Sequence, residues 1–155
     1  MAEMKVLLVD DEQTFVKALS ERLQMRDLKN ETVYDGEQAL SFVDDKEPDV
    51  MVLDLKMPGI NGMEVLRQVS KKFPKMRVII LTGHGTDRDE EESRRLGVFD
   101  YLKKPVNIEI LVNRIKAAHR DKIEGTMAAA AFAEAGEYES ARSFMKEKEK
   151  QNSKK

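Results

Sequence analysis

Five polar residues stand where short apolar runs end. Asp10 and Asp11 follow Lys5-Val6-Leu7-Leu8-Val9, Asp54 follows Val50-Met51-Val52-Leu53, Thr82 follows Val78-Ile79-Ile80-Leu81, and Lys104 lies just beyond Val98 to Leu102. Each alone has a plain structural explanation, because Asp after a strand caps the next helix, Thr is at home in strands, and Lys before Pro suits an exposed turn. Independent caps, however, have no reason to converge. If they do converge, three carboxylates within a few ångströms raise one another's pKa, and a divalent cation resolves the conflict. The ammonium and the hydroxyl would then be free to meet the oxygens of an anion.

The hydrophobic pattern supplies elements that could bring these residues together. From Met4 to about Arg120, short apolar runs alternate with longer amphipathic segments, the rhythm of α/β units around a parallel sheet. The first strand, Lys5 to Val9, leads into a helix with Phe15, Leu19 and Leu23 inward. A weaker strand over Glu31 to Tyr34, read as an edge, turns at Asp35-Gly36 into a short helix carrying Ala39, Leu40 and Val43. Val50 to Leu53 and Val78 to Leu81 are continuous apolar runs of the kind buried on both faces. Between them a helix over Gly62 to Lys72 displays Met63, Leu66 and Val69. A fifth strand covers Val98 to Leu102, and after Pro105 a helix runs from about Ile108 past Ala118, with Leu111, Val112 and Ile115 inward. In an open parallel sheet, ligands bind at the carboxyl ends of the strands, which is where the five polar residues fall.

Composition narrows the chemistry. The 155 residues fit one domain with a small appendage, and 41% apolar with 36% charged residues describes a soluble chain. No apolar run reaches a bilayer span, and Met1 to Asp10 lacks the long apolar core of a signal peptide, so a cytoplasmic protein without membrane insertion is expected. With no cysteine and only two histidines, His84 and His119, disulfides, thiolate catalysis and Cys- or His-built metal sites are set aside. A net charge of -2 gives no general attraction to nucleic acid.

Four motifs occur in order and spacing: Leu8-Val-Asp-Asp11, Asp54-Leu-Lys-Met-Pro-Gly-Ile-Asn-Gly62, Leu81-Thr-Gly-His84 and Phe99-Asp-Tyr-Leu-Lys-Lys-Pro105. On these residues the chain, from about Met4 to His119, resembles the receiver domains of two-component response regulators, in the manner of chemotaxis regulators. The resemblance implies a flavodoxin-like (βα)5 fold with strand order 2-1-3-4-5. It implies phosphotransfer to Asp54 from a sensor histidine kinase or phosphotransfer protein, with Mg²⁺ as cofactor and an unknown protein downstream. Asp11 and Asp54 would be direct ligands and the backbone carbonyl of Lys56 a third, with Asp10 acting largely through water. Lys104 and Thr82 would read out the phosphoryl oxygens. Strand alternation puts Lys103 on the opposite face from Lys104, and the Lys104-Pro105 bond is expected to be cis. Tyr101 is similar to the family's switch aromatic, outward before phosphorylation and inward once Thr82 moves, against the alternative of a half-buried tyrosine with a wet hydroxyl. The protein would be a phosphoacceptor switch, catalysing only its own Mg²⁺-dependent phosphorylation and dephosphorylation.

Some features depart from the family's pattern. The segment Asp87 to Arg95 is unusually polar for a fourth helix, with only Leu96 and Ser93 to face inward, so a loosely docked helix and a monomer or weak homodimer are expected. Lys56 and His84, two residues after Asp54 and Thr82, are not carboxylates or amides that would orient an attacking water, so a phosphoryl group of moderate to long lifetime is expected. The receiver is assigned to residues 1–122 and a helical hairpin extension to 123–155. Gly125-Thr126 marks the break, Gly136 the turn, and Tyr138, Ala141, Phe144 and Met145 one side of the second helix, with a turn similar to a tetratricopeptide-type repeat and a frayed basic end. From His119 onward eight basic residues face seven acidic ones, too balanced for a DNA-binding footprint. A DNA-binding transcriptional regulator and a receiver-like scaffold that is never phosphorylated are the rival readings. A haloacid-dehalogenase-like phosphatase would need an acid where Lys56 stands.

Overall fold

A computed structural model describes residues 3–134. Five strands and five helices alternate: β1 (Val6–Val9), α1 (Gln13–Gln24), β2 (Asn30–Val33), α2 (Gly36–Asp45), β3 (Val50–Leu53), α3 (Gly62–Lys72), β4 (Arg77–Thr82), α4 (Asp87–Arg95), β5 (Asp100–Lys103) and α5 (Ile108–Glu134). The strands form one sheet in the order β2-β1-β3-β4-β5, every pair parallel. This is the flavodoxin-like receiver topology expected from the motifs. Among the described residues no helix is long and apolar enough to cross a membrane.

Alternation along the strands divides the core in two. Val6, Leu8, Val50, Val52, Ile79 and Leu81 face α1 and α5, while Leu7, Val9, Met51, Leu53, Val78 and Ile80 face the helices of the other layer. The three inner strands are thus buried on two sides, which is why β1, β3 and β4 carry unbroken apolar runs. In α1 the inward row is Val16, Leu19 and Leu23, and Phe15 lies half-buried at its edge. β5 starts at Asp100, two residues later than the apolar pattern suggests. Ahead of it the Val98 N–H is donated back to the Ser93 carbonyl, while the Phe99 N–H already bonds the Val78 carbonyl of β4.

The break expected at Gly125-Thr126 is absent, and α5 continues through both residues. The Thr126 hydroxyl donates to the Lys122 carbonyl one turn back, at 3.0 Å, and so serves the helix interior instead of capping a new one. One glycine costs a helix only about 1 kcal/mol, and here the helix is fastened on its near side. Lys122 donates to Asp49 at 2.6 Å, and Arg77 pairs with Asp121 at 2.9 Å. The 122/123 boundary is therefore no structural break. The expected second helix, from Tyr138, lies outside the described residues.

Candidate functional site

Backbone pairing extends one residue past β1, β3 and β5 and fixes Asp10, Asp54 and Lys104 at the sheet's carboxyl edge. Asp10 donates its N–H to the Val33 carbonyl (3.2 Å), Asp54 to Val9 (2.9 Å) and Lys104 to Thr82 (3.0 Å). The loop after β3 is held just as closely. Gly62 donates its N–H to the Leu55 carbonyl at 2.8 Å, and a Cβ there would collide with the Asp54 carbonyl oxygen and stand 2.6 Å from the Leu55 Cα. Only glycine lets α3 start this near the strand end. Asn61 caps that helix, its side chain accepting the Glu64 N–H.

One oxygen from each of Asp10, Asp11 and Asp54 lies within 4.8 Å of the other two. Asp10 and Asp54 are buried and Asp11 is half-buried. The Lys104 ammonium donates to Asp10 Oδ2 at 2.6 Å and stands 3.7 Å from Asp54 Oδ2 and 3.8 Å from Glu12 Oε1. Asp10 Oδ1 accepts the Glu12 N–H, so both of its oxygens are engaged. Asp54 Oδ1, by contrast, is buried without a hydrogen-bond partner. Burial pushes the Asp54 carboxyl above its ordinary range; the Thr82 hydroxyl and Lys104 pull it back, and Asp10 pushes it up again. Thr82 lies beside this carboxylate without completing a hydrogen bond to the orphaned oxygen. Burial alone would weaken the Lys104 ammonium, but Asp10, Asp54 and Glu12 hold its pKa above the usual lysine value.

Of the residues read from the sequence, Asp10, Asp11, Asp54 and Lys104 gather in one place, with Thr82 beside Asp54. Lys104 points into the site and Lys103 is exposed, and the Lys104-Pro105 bond is cis. Lys56 presents an exposed side chain at a cleft of about 380 Å³ shared with Met57, Met63 and Asp89. Tyr101 occupies the inward position, 7% exposed, and its hydroxyl is buried without a partner, so neither the outward ring expected before phosphorylation nor the wet hydroxyl of the alternative is seen here. Burial raises its phenol pKa, and the acids of α4 add to that.

Three neighbours escaped the sequence reading. Glu12 was visible as the third acid of the run after β1. Phe15, whose ring centroid lies 4.4 Å from the Lys104 ammonium, looked like an ordinary core position. Gly85 carries its signal only once the fold is known: a Cβ there would collide with the Tyr101 hydroxyl and come within 3.0 Å of the Thr82 methyl.

A buried, unpartnered carboxylate oxygen facing two further carboxylates fits a hard divalent cation, which takes oxygen ligands. Comparison with known proteins agrees with this arrangement. The family described as the response regulator receiver domain matches residues 6–116. A response regulator receiver domain protein from Clostridium thermocellum is 35% identical, over 77% of this chain and 96% of that one, with a TM-score of 0.71. The BeF3-activated DrrB receiver domain is 34% identical over 76% of this chain and 97% of its own, with a TM-score of 0.68. A CheY-like receiver domain protein from Methanospirillum hungatei JF-1 shares the fold at 24% identity and a TM-score of 0.77, over 79% of this chain and 98% of that one. The chain therefore belongs to the response regulator receiver domain family, the phosphoacceptor switches of two-component signalling.

Proposed function

We propose that Asp54 is the phosphoacceptor, and that Asp10, Asp11, Asp54 and the backbone carbonyl of Lys56 hold Mg²⁺ beside it. The observation that carries this reading is the orphaned Asp54 Oδ1, buried in the three-carboxylate cluster while the other oxygen, Oδ2, stands 3.7 Å from Lys104. When bound, Mg²⁺ supplies charge neutralisation for the carboxylates and the incoming phosphoryl oxygens. An Asp54 oxygen attacks phosphorus and forms the new P–O bond. The P–N bond of a phosphohistidine on the donor kinase or phosphotransfer protein breaks, and its electron pair returns to the imidazole. Positioning and electrostatics do most of the work in such a transfer.

Lys104 exchanges its bond to Asp10 for one to a phosphoryl oxygen, and the Thr82 hydroxyl donates to another. Later attack by water on phosphorus releases orthophosphate and restores the carboxylate, so both steps are the chain's own chemistry. With Lys56 and His84 beside the site, neither suited to orient that water, the acyl phosphate outlives a few seconds; phosphate release timed directly tests this. The signal then passes to a protein partner inside the cell, with the chain acting as a monomer or weak homodimer.

Incubation with acetyl phosphate and Mg²⁺, read by intact mass, tests the assignment. Wild type gains one phosphoryl group, whereas Asp54→Asn and EDTA-treated wild type gain none. Equal incorporation into Asp54→Asn sinks it. The BeF3-activated state of the DrrB receiver domain suggests a second probe, since beryllofluoride should protect wild type and not Asp54→Asn against unfolding.

A further inference from the structure

The Lys104 ammonium is surrounded unevenly. Asp10 accepts from it at 2.6 Å, and Asp54 and Glu12 stand at 3.7 and 3.8 Å. Its remaining near neighbour is an aromatic ring, Phe15, with the centroid 4.4 Å away. Phe15 projects from the first turn of α1, half-buried against the α1/α5 side of the core, and the Lys104 side chain is only 12% exposed. A cation over an aromatic face is attracted by the ring quadrupole, and more so where water is excluded.

We propose that Phe15 is a positioning residue: its ring holds the Lys104 ammonium in the mouth of the site, so that the lysine is already placed when phosphoryl oxygens arrive. The inference rests on Asp54 being the phosphoacceptor, and it adds a residue from α1 to that reaction. Without the ring, a four-carbon side chain has many other rotamers, and ordering it falls on the transition state. Leucine would fill the space and bury similar apolar surface but would offer no quadrupole, so the aromatic face separates positioning from packing.

Two measurements decide it. In proton NMR the Lys104 ε-methylene resonances of wild type should be shifted upfield by the ring current and should return to ordinary lysine values in Phe15→Leu. With acetyl phosphate and Mg²⁺, Phe15→Leu should be phosphorylated on Asp54 roughly threefold to tenfold more slowly, while Phe15→Tyr retains the wild-type rate. Should Phe15→Leu fail to fold, Phe15→Met provides the same comparison. An unshifted Lys104 resonance in wild type, or a folded Leu or Met variant reacting at the wild-type rate, overturns the proposal. Failure of wild type to take up phosphate at all would overturn the phosphoacceptor reading instead, and the ring-current measurement, which needs no phosphate, would still decide whether Phe15 holds the lysine.

Discussion

Asp54 sits in a place that favours function over stability, because its carboxylate is buried, one oxygen lacks a partner and two further acids crowd it. Removing that charge should relieve both repulsion and desolvation. Asp54→Asn is therefore expected to melt above wild type in the absence of divalent ions, and added Mg²⁺ should raise wild type more than the variant. Differential scanning calorimetry with and without Mg²⁺ checks this, and a variant that melts lower in EDTA would contradict it. Thr82→Ala makes a different prediction: on the proposal that its hydroxyl reads the phosphoryl group and does not accept it, phosphorylation of Asp54 stays close to wild type while the downstream partner responds less. An unchanged partner response, by titration of the phosphorylated forms, would count against that coupling. The acids, Thr82 and Lys104 were legible in the sequence because each follows an apolar run, and alternation was enough to separate Lys104 from Lys103. Phe15 was not, because its contact depends on how far a side chain from another element reaches across the sheet edge. The dryness of the Tyr101 hydroxyl was hidden for the same reason.

Among the elements, α5 and α4 are fastened in opposite ways. At the amino edge of the sheet Asp49 ties three segments together, accepting from Lys122 at 2.6 Å and from the Lys5 N–H at 2.8 Å. Burial pushes its carboxyl up, but the Lys122 and Lys5 hydrogen bonds, with His119 nearby, hold it below the ordinary carboxylate range. A depressed folded pKa contributes stability that is present above the unfolded value and is lost as pH falls through the folded one. Asp49→Asn should thus cost about 1 kcal/mol near neutral pH, with the gap to wild type closing below roughly pH 4. Urea titrations across pH test both halves. This clamp also explains why the Gly125 signal misled: local propensity favoured a break, and long-range ion pairs, invisible in a linear reading, carry the helix onward. α4 is held by more exposed groups. Thr86 and Asp89 form a capping box, Arg67 on α3 reaches Glu92 at 2.7 Å, and Ser93 alone within the helix is fully buried, its hydroxyl donating to the Asp89 carbonyl. Polar surface pairs contribute little, so amides from Glu90 to Leu96 should exchange sooner than those around Leu111 to Ile115. Thr86→Ala, which removes the cap at a cost of about 1 kcal/mol, should widen that difference. Equal protection of the two helices would show α4 to be firmly docked.

For the molecule as a whole, signalling requires two arrangements of similar free energy that the phosphoryl group tells apart. Tyr101 is where such a balance is visible. Its ring packs inward with the α2/α3 side of the core, a gain in apolar burial, while its hydroxyl is left dry and unpartnered, a cost of about 1 to 3 kcal/mol. A switch built on Tyr101 would set these two opposing terms against each other. Gly85 supplies the space: its missing Cβ is what admits the hydroxyl next to Thr82. Gly85→Ala should displace the far end of the tyrosine first, since the Tyr101 hydroxyl is the atom that carbon would meet and the Thr82 methyl comes next, at 3.0 Å. The chain has three tyrosines and no tryptophan, so fluorotyrosine labelling gives a resolvable signal for Tyr101, assigned by Tyr101→Phe. In wild type that resonance should carry the shift and slow solvent response of a buried ring; in Gly85→Ala it should move toward the exposed value, with acetyl phosphate still modifying Asp54. If the alanine variant keeps a buried Tyr101, the ring has another way to sit inward and Gly85 does not set the balance. If the ring moves outward and partner binding is unaffected by phosphorylation, the tyrosine is the link between Asp54 and the output surface.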